Sequence, residues 1–142
     1  MKKLALLFVI GTTLVLAACS GLSASSAAQE IVIEAEALTY NPAIIEVTAG
    51  KPVKLTFHNK DAVDHDFSIM EIPMVMSATA EPMAGHDMGG MRDQPQLHMA
   101  VAMGGTGSME FTPSKPGAYE FLCTVSGHKE AGMKGTLVVK AP

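Results

Sequence analysis

The chain is short of cysteine, of basic charge and of long apolar runs, and each shortage removes a class of protein. Two cysteines in 142 residues, Cys19 and Cys123, leave no room for a disulfide framework. Lys and Arg number 10 against 14 Asp and Glu, for a formal net charge of −4. Lys2 and Lys3 belong to the leader segment, so the remainder is more acidic still. That balance argues against nucleic acid as a partner and against electrostatic binding to anionic lipid. It suits plain solubility or docking to a basic partner. The main apolar run, Leu4 to Ala18, has fifteen residues and is broken only by Gly11, Thr12 and Thr13. It is too short for a comfortable membrane span. No segment keeps a sustained helical period, so nothing points to a helical architecture.

The apolar run follows Lys2-Lys3 and ends in Leu16-Ala17-Ala18-Cys19. A basic start, an apolar stretch and small residues mark residues 1–18 as a signal peptide. Its end resembles a bacterial lipobox, in which the cysteine is lipidated and becomes the new N-terminus. The competing reading is an ordinary cleaved signal with a chance cysteine, and Ala17-Ala18 directly before Cys19 disfavours it. Stable anchoring takes two acyl chains or more. Residues 19–29 read as a lipidated tether, because Ser20 to Gln29 is Ser/Ala-rich and uncharged. The rest of the chain is expected outside the cytoplasm, on the periplasmic or cell-surface side of a bacterial membrane. There Cys123 has no disulfide partner, and a metal would occupy the thiol.

Residues 30–142 suffice for one domain with one core. Short β-rich runs alternate with turn residues. Glu30–Leu38, Ala43–Thr48, Val53–His58, the run from His65 through Ile69, Leu97–Met103, Ser108–Thr112, Ala118–Cys123 and Gly135–Lys140 are the expected strands. Val53, Leu55 and Phe57 share one face, as do His65, Phe67 and Ile69. Parity places Met99 and Met103 in the core and His58 and His98 outside. About eight strands with regular turns predict an all-β, antiparallel Greek-key sandwich. Ser77–Gln96 breaks the pattern and reads as a long loop.

The chemistry concentrates near the C-terminus, in Cys123-Thr-Val-Ser-Gly-His128-Lys-Glu-Ala-Gly-Met133. A thiolate, an imidazole and a thioether lie on one loop, and His65 stands far upstream. Two His, one Cys and one Met make the ligand set of a blue-copper centre, whose trigonal plane of two His and one Cys carries a weak axial Met. Each residue has a plainer reading. His65 could be a hydrogen-bonded core histidine. Cys123 could be a buried structural thiol or a thiol nucleophile. The spacing to Met133 and the lack of a helix to activate the thiol oppose both readings of Cys123. Met133 could be core filler, though Gly132 and Gly135 beside it point to an exposed loop.

These residues resemble the cupredoxins, which include plastocyanin and azurin, and within them the auracyanins. The likeness is sharp around His65 and from Gly117 to Val139. It implies a cupredoxin fold, one type 1 copper, and His65, Cys123, His128 and Met133 as its ligands. Asp66 departs from the pattern, since many cupredoxins carry Asn there to brace the ligand loop; a carboxylate accepts but cannot donate.

The resemblance implies a membrane-anchored carrier of single electrons between membrane-bound or soluble redox proteins. It is expected to be monomeric and not an enzyme, with no open metal position for a substrate. A rival function comes from another feature. Met83, His86, Met88 and Met91 lie in a Gly-rich stretch, and spaced thioethers capture Cu(I). That second site would belong to a protein of copper handling or tolerance.

Overall fold

The computed structural model describes residues 27–75 and 94–142. The signal peptide, Cys19, most of the tether and the Met83/His86/Met88/Met91 cluster lie outside the described residues, as does Met76.

Nine strands form: β1 (Gln29–Glu36), β2 (Thr39–Asn41), β3 (Ile44–Thr48), β4 (Val53–Asn59), β5 (His65–Ile69), β6 (Leu97–Val101), β7 (Thr106–Phe111), β8 (Gly117–Leu122) and β9 (Lys134–Lys140). They make a four-stranded sheet, β2-β1-β4-β7, and a five-stranded sheet, β3-β9-β8-β5-β6. The alternation in β4 is the clearest local cause. Val53, Leu55 and Phe57 are fully buried, while Lys54 is exposed. Between the sheets Ile33, Leu55, Phe57, Phe67, Phe121 and Leu137 share one core. Tyr40 joins the two sheets through Phe121, at 5.1 Å between ring centroids, and Phe67 meets Phe121 at 5.0 Å within the five-stranded sheet. Such pairs add to the burial of their area.

The architecture agrees with the expected all-β sandwich, and four details differ. β2 went unforeseen, because three residues before Pro42 carry no visible alternation. The pairing is mixed rather than antiparallel, since β1 runs parallel to β4 and β3 parallel to β9. Those pairings arise because the chain changes sheet between β2 and β3 and again between β3 and β4. Met103 is 62% exposed, not core: β6 stops at Val101 and the chain turns through Gly104, at φ 66°, so the alternation ends with the strand. Met99 is buried as expected, and Met74 is partly buried against the core. Finally, β1 begins at Gln29, assigned above to the tether, and its side chain accepts from the Thr48 backbone N–H at 2.8 Å.

The described residues on either side of 76–93 are hydrogen-bonded to the sheets and to each other. Gln96 N–H donates to the Met70 carbonyl, Ile72 N–H donates to the Gln96 side chain, and Met74 bridges to Pro113.

Candidate metal centre

Two elements deliver the donors. His65 opens β5, a strand buried along its whole length. Asp66 and Ser68, on the face that alternation left outside, are buried too, where Thr124 and His98 contact them. Cys123 follows directly after β8, and the chain then loops through Met133 back into β9.

Backbone hydrogen bonds close that loop on itself. Cys123 N–H donates to the Met133 carbonyl at 3.1 Å, and Met133 N–H to the His128 carbonyl at 2.9 Å. His128 N–H donates to the Val125 carbonyl at 3.0 Å. Gly127 at φ 84° and Gly132 at φ 105° make the two bends, in a region where a side chain would be strained. Met133 is therefore fully buried, against the exposed position its neighbouring glycines suggested. The residues around it are exposed; the thioether is not.

The donor atoms converge. His65 Nδ1 lies 3.1 Å from His128 Nδ1, and Cys123 Sγ lies 3.4 Å from His128 Nδ1 and 3.9 Å from His65 Nδ1. A first-row ion bound trigonally at about 2.0–2.3 Å needs donor–donor edges of about 3.5–3.8 Å. The three edges fall around those values, so an ion fits with shifts of a few tenths of an ångström. The set of two imidazoles and a thiol is one that suits copper in both oxidation states. His65 and Cys123 are buried and His128 is half-buried. Burial pushes the Cys123 thiol above its ordinary value. Metal ligation would displace that proton, since the thiolate is the ligand.

Asp66 replaces the expected brace with a purely accepting one. Thr124 N–H reaches both carboxylate oxygens at 3.0 Å, and Thr124 Oγ1 donates to Oδ2 at 2.8 Å. Ser68 Oγ donates to Oδ1 at 2.7 Å. The strand that holds His65 is thereby tied to the residue after Cys123. Tyr40 OH donates to the Asp66 carbonyl from the opposite sheet. Burial, then the nearby Cys123 and Asp66 charges, raise the Tyr40 phenol far above its usual value.

His58 stays out of the cluster, with Nδ1 on Thr106 Oγ1 at 2.8 Å. His98 is exposed and contacts Ser68 Oγ at 2.8 Å. Two residues left without a role in the sequence reading support the site. Asn59, buried, donates through Nδ2 to the Val63, Val101 and Ala102 carbonyls. Asp61 holds His65 Nε2 at 2.8 Å. The signal for the second was its type and nearness alone: metal-bound imidazole commonly donates its other ring N–H to a carboxylate, and Asp61 lies four residues before His65.

Comparison with known proteins agrees with this geometry. Residues 27–140 match the family described as copper binding proteins, plastocyanin/azurin family. The chain is 30% identical over 109 residues to the copper-resistant cuproprotein CopI of Rubrivivax gelatinosus, over 77% of this chain and 64% of that protein. It is 30% identical over 123 residues to auracyanin-B of Chloroflexus aurantiacus, over 79% of this chain and 52% of that protein. It thus spans less than two thirds of the length of either relative. The structure of dithionite-reduced auracyanin from Roseiflexus castenholzii superposes with a TM-score of 0.60 at 26% identity, over 80% of this chain and 98% of that one. Matched along residues 27–140 and folded as the auracyanins are folded, the chain belongs to the plastocyanin/azurin family, the cupredoxins, with copper as its cofactor.

Proposed function

We propose that His65, Cys123, His128 and Met133 hold one copper, and that the chain carries single electrons between membrane-bound or soluble redox partners outside the cytoplasm. In this reading Cys19 anchors it, as a monomer, to a bacterial membrane. The observation that carries the proposal is a buried donor cluster of two ring nitrogens and one sulfur, with one imidazole, His128, half in solvent. Copper, when bound, supplies a one-electron Cu(I)/Cu(II) couple. The chain's own residues keep the donors in place. Asp66 and Asp61 brace them from two sides, so little rearrangement accompanies a change of charge. His128 is the exposed edge. Val125, whose carbonyl accepts from His128 N–H at 3.0 Å, is an exposed apolar residue beside it that fits a docking rim. With Met133 as fourth donor no position stays open for a substrate, so the protein is not an enzyme by itself.

The test is copper analysis and absorption of the mature protein. One equivalent of copper and an intense blue band are expected, and Cys123→Ser should remove the band. A blue band retained in that variant would overturn the assignment. Mass spectrometry of the mature N-terminus tests the anchor, with a lipidated Cys19 expected.

A second reading, copper handling, draws on the likeness to a protein named copper-resistant and on the Met83/His86/Met88/Met91 cluster. It expects a further Cu(I) equivalent in the already loaded protein, lost when Met83, Met88 and Met91 become Leu. Without that equivalent the electron-transfer reading stands alone.

A further inference from the structure

Behind His65, away from the donor cluster, stands a carboxylate with two sets of partners. Asp61 Oδ2 lies 2.8 Å from His65 Nε2. Asp61 Oδ1 accepts from Ala37 N–H at 2.9 Å, and Oδ2 accepts from Leu38 N–H at 3.3 Å. Ala37 and Leu38 are the two loop residues of the β1–β2 hairpin, and both have positive φ, 52° and 58°. That turn ordinarily takes Asn or Gly. Here neither residue is of that kind, and the charge-assisted bonds to Asp61 offset the backbone strain. Asp61 is itself fixed, its N–H on Asn59 Oδ1 at 3.0 Å and its carbonyl accepting from Gly104 N–H at 3.2 Å.

A carboxylate accepts hydrogen bonds and does not donate, so the ring proton of neutral His65 sits on Nε2. Nδ1 then presents its lone pair toward Cys123 and His128, which is the tautomer a metal needs. A negative charge on the far nitrogen also makes the ring a stronger donor. The divalent ion gains more from that than the monovalent one.

We propose that Asp61 is a positioning residue of the copper centre that selects the Nδ1-donating tautomer of His65 and favours Cu(II) over Cu(I), and that the left-handed Ala37–Leu38 turn is the device that holds its carboxylate there. This rests on His65 being a ligand. The hairpin turn of the opposite sheet thereby sets the potential without touching the metal.

The experiment compares the full mature protein with Asp61→Asn. An amide cannot satisfy Ala37 N–H and His65 Nε2–H together, and it carries no charge. The blue band should persist. Cu(II) affinity should fall by about 10–100-fold, in the range typical of lost outer-shell partners. Cu(I) affinity should fall less, and each tenfold difference raises the potential by about 59 mV. In the metal-free protein, nitrogen NMR should show the His65 proton on Nε2 in the parent and a shift toward Nδ1 in the variant. Should Asp61→Asn fold poorly, the same change combined with Ala37→Gly relieves the turn and leaves the ring effect to be read. An unchanged potential and an unchanged tautomer overturn the proposal. His65→Gly separates the two levels: loss of the blue band there keeps the ligand reading, and a retained band overturns that reading instead.

Discussion

His65 and His128 are chemically identical and structurally opposite. His65 lies on a strand buried from end to end, its ring clamped at Nε2 by Asp61 and facing Cys123 at Nδ1. His128 lies on a loop, half-buried, and its Nε2 has no hydrogen-bond partner among the described residues. One imidazole is fixed by side chains of the sheet and its turns, the other by the backbone bonds of its own loop. The difference teaches how a small domain combines a rigid donor set with an accessible edge: the sheet supplies the rigidity and the loop supplies the access.

The comparison breaks most visibly if the two rings are removed in turn. His128→Gly opens a gap toward solvent, so free imidazole added at millimolar levels should restore the blue band. His65→Gly opens a gap closed by β5, β6 and β8, and the same addition should restore little or nothing. Equal recovery in both variants would show that the two sites do not differ in access.

Where the loop re-enters the sheet, Gly135 leaves no room. A Cβ there would overlap the Phe121 ring and come within 2.5 Å of the Ala43 carbonyl oxygen. Gly135→Ala should cost about 1–3 kcal/mol or more by overpacking, measured by denaturant unfolding. Gly107→Ala meets mainly the flexible Met99 side chain and Val101, and should cost less.

Met133 sharpens the loop side. If Met133 is the proposed weak donor, Met133→Leu keeps the buried volume and removes it, so the site should stay blue with a higher potential, whereas Met133→Gln should lower it. Two unmoved potentials would remove Met133 from the ligand set.

The smallest effect belongs to the strand side. Tyr40→Phe takes one buried donor from the Asp66 carbonyl, at about 1 kcal/mol. It also changes the alkaline limb. The folded phenol titrates above its ordinary value of 10.0, so its contribution is complete below about pH 10 and is lost as pH rises beyond. The parent should lose stability there more steeply than Tyr40→Phe, which circular dichroism against pH can follow.

Most strands were legible because their causes are local. Val53, Leu55 and Phe57 alternate within reach of one another, and Gly-Lys-Pro or Pro-Gly turns punctuate the runs. The candidate loop was legible for the same reason, since Cys123, His128 and Met133 lie on one short segment, and the structure brings Cys123 and His128 together with His65. β2 was not, because three residues before a proline carry no period. Neither was the burial of Met133, which depends on its backbone bonds to Cys123 and His128 rather than on the glycines beside it. Met103 misled because parity has meaning only while a strand lasts, and β6 ended first.

By itself, then, the amino-acid order determined the all-β class, the donor types and the family resemblance, all of which are written in neighbouring residues. Only the tertiary structure decided what surrounds the donors. Asp61 reaching Ala37 and Leu38, Asp66 reaching Thr124, and Tyr40 reaching Asp66 join residues far apart in the chain. Such pairs exist once two sheets have packed, because a short hydrogen bond needs a fixed distance, and local spacing sets no distance between segments that meet only in the fold.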